Sequence, residues 1–271
     1  YILLSPMLLA NSVLELKPQI DSIPLNGYLE VFEDKAGHYE IGQIVSDEIS
    51  PLFSSITNNA PNFGYTSSVI WVRFQVMNLV PDQEEILLVT TNPNMDDIQL
   101  FQIADNNLVL HKQGGDSLPF RSRDYAHRNI IFKLKLAYQQ TNWIYLRLET
   151  SGATQNGLKL WRQQAFAEDD YLNQLVLGVF FGILLVMIFY NLFVYISVKD
   201  RTYLIYVLYI SLFLLAFLTA QGFSFQYFWP KTPQFQKWVN GFYCLALAGA
   251  ILFSISFLDT RRYSPRIHRM M

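Results

Sequence analysis

The chain has 271 residues, 51% of them hydrophobic and 15% charged, with a formal net charge of −2. It carries no basic excess and no Arg/Lys stripe interleaved with aromatics in its first half, which argues against nucleic acid as a partner. The single cysteine, Cys244, lies in an apolar run and excludes both an intrachain disulfide framework and a Cys-based zinc site.

Taken in chain order, residues 1–11 form an apolar stretch that is too short for a bilayer, which needs about 20 residues. They read as a signal-peptide remnant, with a buried first strand as the alternative. Residues 12–167 then mix short apolar runs with turn residues such as Pro81-Asp82, Asn92-Pro93-Asn94, Asp105-Asn106-Asn107 and Gly114-Gly115-Asp116. Two segments alternate cleanly at period two, the mark of a strand with one buried face. In residues 68–78 the apolar row is Ile70, Val72, Phe74 and Val76; in residues 143–150 it is Ile144, Leu146 and Leu148. Further strands are expected at 28–33, 85–91, 97–103, 108–112, 130–136 and 158–161. Short strands in this number, with no convincing amphipathic helix between them, predict an all-β jelly-roll sandwich; an immunoglobulin-like sandwich is the alternative, without its Cys–Trp–Cys spacing.

Residues 168–174, which include Glu168, Asp169 and Asp170, read as an acidic juxtamembrane linker. Three apolar runs follow at 175–198, 203–225 and 238–258, each close to the length of a membrane-spanning helix. The joints after the first and third runs hold Lys199, Arg201, Arg261, Arg262, Arg266 and Arg269, whereas the middle joint holds Lys231 and Lys237. Because positive side chains concentrate in cytoplasmic loops, this asymmetry puts the N-terminal domain outside the cytoplasm and residues 259–271 inside. The expected setting is a bacterial inner membrane, with the bilayer as the chain's principal surroundings. Gly178 and Gly182, like Ala246 and Ala250, have the small-xxx-small spacing that brings helices together, within one bundle or in a homodimer. Asn191 and Asn240 are polar groups at membrane depth and should face another helix or a polar cavity.

The two best strands share an oddity: Trp71/Arg73 and Tyr145/Arg147 occupy successive outward positions. Strands paired in one sheet would build from them an exposed aromatic and cationic surface, suited to a glycan or a small anionic ligand. Cross-strand packing within the sheet is the plainer explanation of the same pattern. A second cluster, Arg121, Arg123, His127 and Arg128, could bind an anion or form a solvated loop. His38, His111 and His268 lack metal-ligand spacing, and no nucleophile elbow, phosphate loop or His-Glu-x-x-His helix is present. No catalytic residue, cofactor or metal is therefore expected in this stretch.

Several motifs taken together carry a family resemblance. They are Trp71-Val-Arg73-Phe74 with Asn78; Asn92-Pro93 with Asp97 and Ile98; Leu118-Pro119-Phe120 followed by Arg123 and His127-Arg128-Asn129; and Tyr145-Leu-Arg147 and Leu160-Trp161. Gly178, Gly182, Tyr190 and Asn191, Lys199-Asp200-Arg201, and residues 222–230 complete the set. With these the chain resembles the bacterial seven-transmembrane receptors with diverse intracellular signalling modules, 7TMR-DISM, that carry the type-2 extracellular sensing domain. The resemblance implies a periplasmic jelly roll that binds carbohydrate-like ligands, seven helices, and a cytoplasmic output such as a histidine kinase, diguanylate cyclase or phosphatase. The chain holds three of those seven helices, so four helices and the output are expected beyond Met271. A rival reading is a transporter or assembly factor whose β-domain docks a protein partner; broken helices and buried ionisable groups would mark a transporter, and these spans show few.

Overall fold

A computed structural model describes residues 13–56, 62–81, 85–150, 152–155 and 157–258. The expected signal-peptide remnant and the basic segment 259–271 lie outside the described residues. The chain divides into two compact units, one running to Glu168 and taking in Pro230–Pro233, the other formed by Asp169–Trp229 and the residues from Gln234 on.

The first unit is built from strands numbered in chain order. One sheet contains β1 (Leu14–Leu16), β3 (Glu30–Asp34), β4 (Ser54–Ser55), β6 (Val69–Asn78), β8 (Asp97–Ala104), β9 (Asn107–Gly114) and β11 (Thr141–Glu149). Its order is β4-β3-β6-β11-β8-β9, with β1 added in parallel to the end of β6. The smaller sheet contains β2 (Ser22–Pro24), β7 (Glu85–Thr90), β10 (Ile131–Lys135) and β13 (Leu158–Arg162), in the order β10-β7-β13-β2. A separate two-stranded ribbon pairs β5 (Asn62–Tyr65) with β12 (Ala153–Gln155).

The period-two pattern explains the sandwich. Ile70, Val72, Phe74 and Val76 of β6 and Ile144, Leu146 and Leu148 of β11 share one face, because the two strands pair antiparallel with Phe74 opposite Ile144. That face is buried against Ile86, Leu88, Phe132, Leu134, Leu158 and Leu160 of the smaller sheet. Each such side chain contributes about 1.5–3 kcal/mol through removal from water. The chain passes between sheets from β6 to β7, β7 to β8, β9 to β10, β10 to β11, and β11 by way of β12 to β13. Two sheets, antiparallel apart from β1, joined by such interleaved crossings form a jelly roll, the expected architecture.

Turn chemistry fixes the register. β8 and β9 are joined by Asp105-Asn106, both at positive φ (50° and 61°), which is the two-residue turn that Asx residues tolerate and that matches strand twist. Gly115, at φ +152°, runs so close to the 96–97 backbone that a Cβ there would be driven into the Asp96 carbonyl oxygen.

The second unit is helical. Helix α1 (Ile41–Ile44) belongs to the jelly roll; α2 (Gln163–Val198), α3 (Arg201–Ala220), α4 (Phe223–Tyr227) and α5 (Val239–Phe257) follow. Among the described residues three helices are long and apolar enough to cross a membrane. Residues 168–174, the acidic stretch ahead of the first apolar run, are turns of α2. Their polar side chains bond along the helix at i,i+4, Asn173 to Asp169 at 2.8 Å and Gln174 to Asp170 at 2.5 Å. The next break is short: Asp200 caps α3 by accepting from the Thr202 amide at 2.8 Å. α3 ends at Ala220, earlier than the run to 225 suggests, because Gly222 takes φ 78° and donates its amide to Thr219.

α3 and α5 meet where Gly249 lies against Tyr209, so that a Cβ would stand 3.2 Å from the Tyr209 Cα; Thr202 and Ser256 share a hydroxyl contact of 3.0 Å. Ala246 is buried as well. A Cβ at Gly178 or Gly182 would meet nothing within 4 Å. Asn191, expected to face a partner or a cavity, donates to the Met187 carbonyl of its own helix at 2.8 Å and also lines a cavity with Asp200, Tyr206 and Ser256. At the other end of α3, Gln236 is buried and donates to the Thr219 carbonyl at 2.8 Å while accepting from the Trp229 indole at 3.2 Å.

The two kinds of glycine give a direct test. Gly115→Ala, facing backbone, is expected to destabilise the N-terminal domain by about 2 kcal/mol or more, whereas Gly27→Ala, at φ +89° in open space, should cost about 1 kcal/mol. Urea midpoints of the two variants check this; equal losses would mean that the approach to Asp96 relaxes freely.

Candidate functional site

The outward face of the larger sheet follows from its register. One row across it runs Phe32, Trp71, Arg147, Gln99 and Gln113; the next runs Glu30, Arg73, Tyr145, Phe101 and His111. A third brings Gln75, Trp143 and Ile103 together. The strands holding Trp71/Arg73 and Tyr145/Arg147 are therefore direct neighbours, with Arg73 opposite Tyr145 and Trp71 opposite Arg147.

Outward does not mean exposed here. Residues 39–53 fold back over half of this face and lay Tyr39, Ile41, Ile44, Ile49 and Phe53 on Phe32, Trp71, Phe101 and Tyr145. Trp71 is 0% exposed and Tyr145 4%. Arg73, also buried, fastens the cover: Nε donates to Glu30 at 2.7 Å, Nη1 to the Ser50 hydroxyl at 2.7 Å and Nη2 to the Ser50 carbonyl at 3.0 Å. Its guanidinium lies 4.1 Å from the Phe53 ring centre and 5.0 Å from that of Trp143. Burial pushes the Tyr145 phenol above its ordinary value, with Arg73 opposing. Asp34 shapes the entry to the cover by accepting from the amides of Ala36, Gly37 and Tyr39. The expected open aromatic and cationic surface is thus corrected at Trp71, Arg73 and Tyr145, which form a second, covered core.

The other half of the face stays open. Arg147 and Gln99 are half-buried, His111 and Gln113 exposed, and Trp143 and Ile103 half-buried beyond them. Asp97 gathers the polar end: it accepts from Gln99 at 2.9 Å and Gln113 at 2.7 Å and stands 3.7 Å from Arg147. Glu149 takes the same Arg147 nitrogen at 2.7 Å. His111 lies flat on Phe101, with ring centres 4.5 Å apart and planes 5° from parallel. Two carboxylates therefore surround one guanidinium, leaving this end without the surplus positive charge that would hold an anion. What it offers is amide donors and acceptors beside aromatic surface, a set suited to hydroxyl groups on a ring.

The cluster at 121–128 is placed differently. Arg121 is exposed, but Arg123 and His127 are buried. Arg123 donates Nη1 to the carbonyls of His127 and Arg128, both at 2.7 Å, and its guanidinium lies 4.9 Å from the Phe120 ring centre. Burial pulls its pKa down to about 10, with Asp116 opposing. His127 accepts from the Asn129 amide through Nδ1 at 3.0 Å, and Arg128 is half-buried. These groups fasten a loop rather than form an open anion site. Of the seven expected ligand residues, Arg147 alone lies on the open half-face. Gln99, His111 and Gln113 share the open half-face with Arg147: alternation in β8 puts Gln99 on that side, and pairing of β8 with β9 brings Gln113 and His111 beside it. Among the described residues no group of three or more His, Cys, Asp or Glu could hold a metal.

A jelly roll followed by apolar, membrane-length helices defines a membrane protein with an extramembrane β-domain. Residues 26–162 match the family model described as 7TMR-DISM extracellular 2, and residues 173–271 the model described as 7TM diverse intracellular signalling. The chain belongs to the 7TMR-DISM family, receptors that join such a domain to a seven-helix membrane part. No curated protein matches it. Among solved structures it is similar to a GH31 alpha-xylosidase from Xanthomonas citri (15% identity over 54% of this chain and 16% of that one, TM-score 0.26). It is also similar to a beta-glucosidase from Kluyveromyces marxianus (14% identity, 56% and 18%, TM-score 0.29). A family 35 carbohydrate binding module from Clostridium thermocellum shares 10% identity over 52% of this chain and 98% of the module, at TM-score 0.22. The chain thus spans less than a fifth of the length of either enzyme.

The cover makes its own prediction. Arg73→Ala leaves Glu30 buried without its partner and should cost about 3–5 kcal/mol, whereas replacing both by Met should recover most of that loss. Urea denaturation of the two variants decides between this and an incidental ion pair, which would give losses below about 1 kcal/mol.

Proposed function

We propose that this membrane sensor binds a neutral, hydroxyl-rich ligand of carbohydrate type on the open half-face formed by Trp143, Arg147, Gln99, His111 and Gln113. The observation that carries the reading is the charge balance at Arg147, held between Asp97 and Glu149, next to the Gln99 and Gln113 side-chain amides and the partly exposed rings of His111 and Trp143. A small anion would have to displace one of those carboxylates, whereas a sugar can add hydrogen bonds around them. The domain lies in the periplasm of a bacterium with the helices in the inner membrane, a placement supported by the excess of Lys and Arg in the first and third joints over the middle one. Ligand binding shifts the population of helix arrangements, which a cytoplasmic output module reads.

Among the described residues the main core cluster runs from Leu14 to Leu160 and the cluster over the smaller sheet extends to Phe166, so the segment 12–167 is expected to fold alone. Calorimetry of that segment against a panel of neutral oligosaccharides and small anions tests the reading. At least one neutral glycan should bind, and Gln99→Ala and Gln113→Ala should each weaken it about five- to tenfold, the worth of one hydrogen bond. A folded domain that ignores every neutral glycan, or prefers a small anion, would overturn it.

A further inference from the structure

The smaller sheet also has a covered outer face, and its cover comes from a helix that continues beyond the jelly roll. β13 ends at Arg162 and α2 begins at Gln163, with no residue between them. The first turn of α2 places Phe166, 5% exposed, over Leu87 and Val89 of β7 and Ile131 of β10. Three rings surround it edge-on: His127 at 5.3 Å, Tyr125 at 6.1 Å and Trp161 at 6.1 Å between centres. Two of the three belong to the loop that the basic cluster occupies, and the bonds described above hold that loop in shape. Arg123 ties down the carbonyls of His127 and Arg128, the Asn129 amide fixes the His127 ring, and Asp124 bridges the Lys112 ammonium and the Lys133 amide, both at 2.7 Å.

We propose that residues 123–129 form a socket that holds Phe166, so that the first turn of α2 is part of the jelly roll and moves with its smaller sheet. This gives the buried Arg123 and His127 a positioning role in place of ligand contact. It also supplies a mechanical step independent of which ligand binds: a shift of β7, β10 or the 123–129 loop is carried into the start of α2 without passing through a flexible linker. Helix ends ordinarily fray, since their last turns lack tertiary support. A first turn fixed by a buried aromatic ring should not.

Hydrogen exchange of the full chain in detergent micelles, without ligand and across a urea series, tests this. In the wild type, amides 167–170, which bond back to the first turn, should lose protection at the same urea concentration as β7 and β13, as one cooperative unit. Phe166→Ala should speed their exchange about tenfold or more and uncouple it from urea while β7 and β13 remain protected. Arg123→Ala, which removes the bonds to the His127 and Arg128 carbonyls, should loosen the same amides, and Phe166→Leu should hold them better than Phe166→Ala. If Phe166→Ala instead strips protection from β7 and β13 together with the first turn, the two are one unit and the proposal stands. Fast, urea-independent exchange of 167–170 in the wild type, or exchange unchanged in both Phe166→Ala and Arg123→Ala, would overturn it. Glycan titration of the 12–167 segment reads a different face, so failure of one leaves the other intact.

Discussion

The Arg73–Glu30 pair, with the Ser50 group it grips, decides what this domain can present to its surroundings. A buried guanidinium is costly unless its hydrogen bonds are met, and here they are met by one carboxylate and by both oxygens of a residue in the covering segment. Lifting the cover would strip the guanidinium of both Ser50 acceptors and leave it with Glu30 alone. Once the cover is down, Trp71 and Tyr145 become interior and the usable face narrows to β11, β8 and β9. The ligand reading, the burial of β6 on both faces and the place of residues 39–53 all depend on that one arrangement.

Much of the framework was legible in the sequence. Alternation in residues 68–78 and 143–150 gave the inward rows and the face shared by Trp71, Arg73, Tyr145 and Arg147, because strand geometry forces period two. It did not reveal what lies on the outer side. Ile41/Ile44 and Ile49/Phe53 have the i,i+3 and i,i+4 spacing of a helix, but a four-residue helix and a short turn carry them, and one turn is too short for a periodicity argument to read. The same gap hid Gln99 and Gln113: polar residues on an outward face look solvated until the neighbouring half is found covered. The acidic stretch at 168–174 gave no conformational signal, because polarity reports distance from hydrocarbon and not backbone conformation; its helix is continuous with the apolar run that follows. Gly222 carried the stop signal for α3, but the apolar residues beyond it extended the run past the true end.

Both outer faces of the sandwich are thus occupied, by different means and with different consequences. On the larger sheet a local segment covers half and leaves a polar-aromatic platform. On the smaller sheet the covering group is a phenylalanine on the helix that later forms an apolar, membrane-length span. The basic residues that looked like an anion site from sequence hold that phenylalanine's surroundings in shape. On the two proposals made above, the larger sheet recognises the ligand and the smaller sheet holds the start of α2.

The central claim is that recognition occurs on the open half of the larger sheet. The most direct measurement is amide exchange of the full chain with and without a glycan found to bind it, read peptide by peptide. The account predicts added protection in β8, β9 and β11, with residues 39–53 unchanged. Protection confined to residues 39–53 or to the 120–129 loop, with β8, β9 and β11 unaffected, would contradict it.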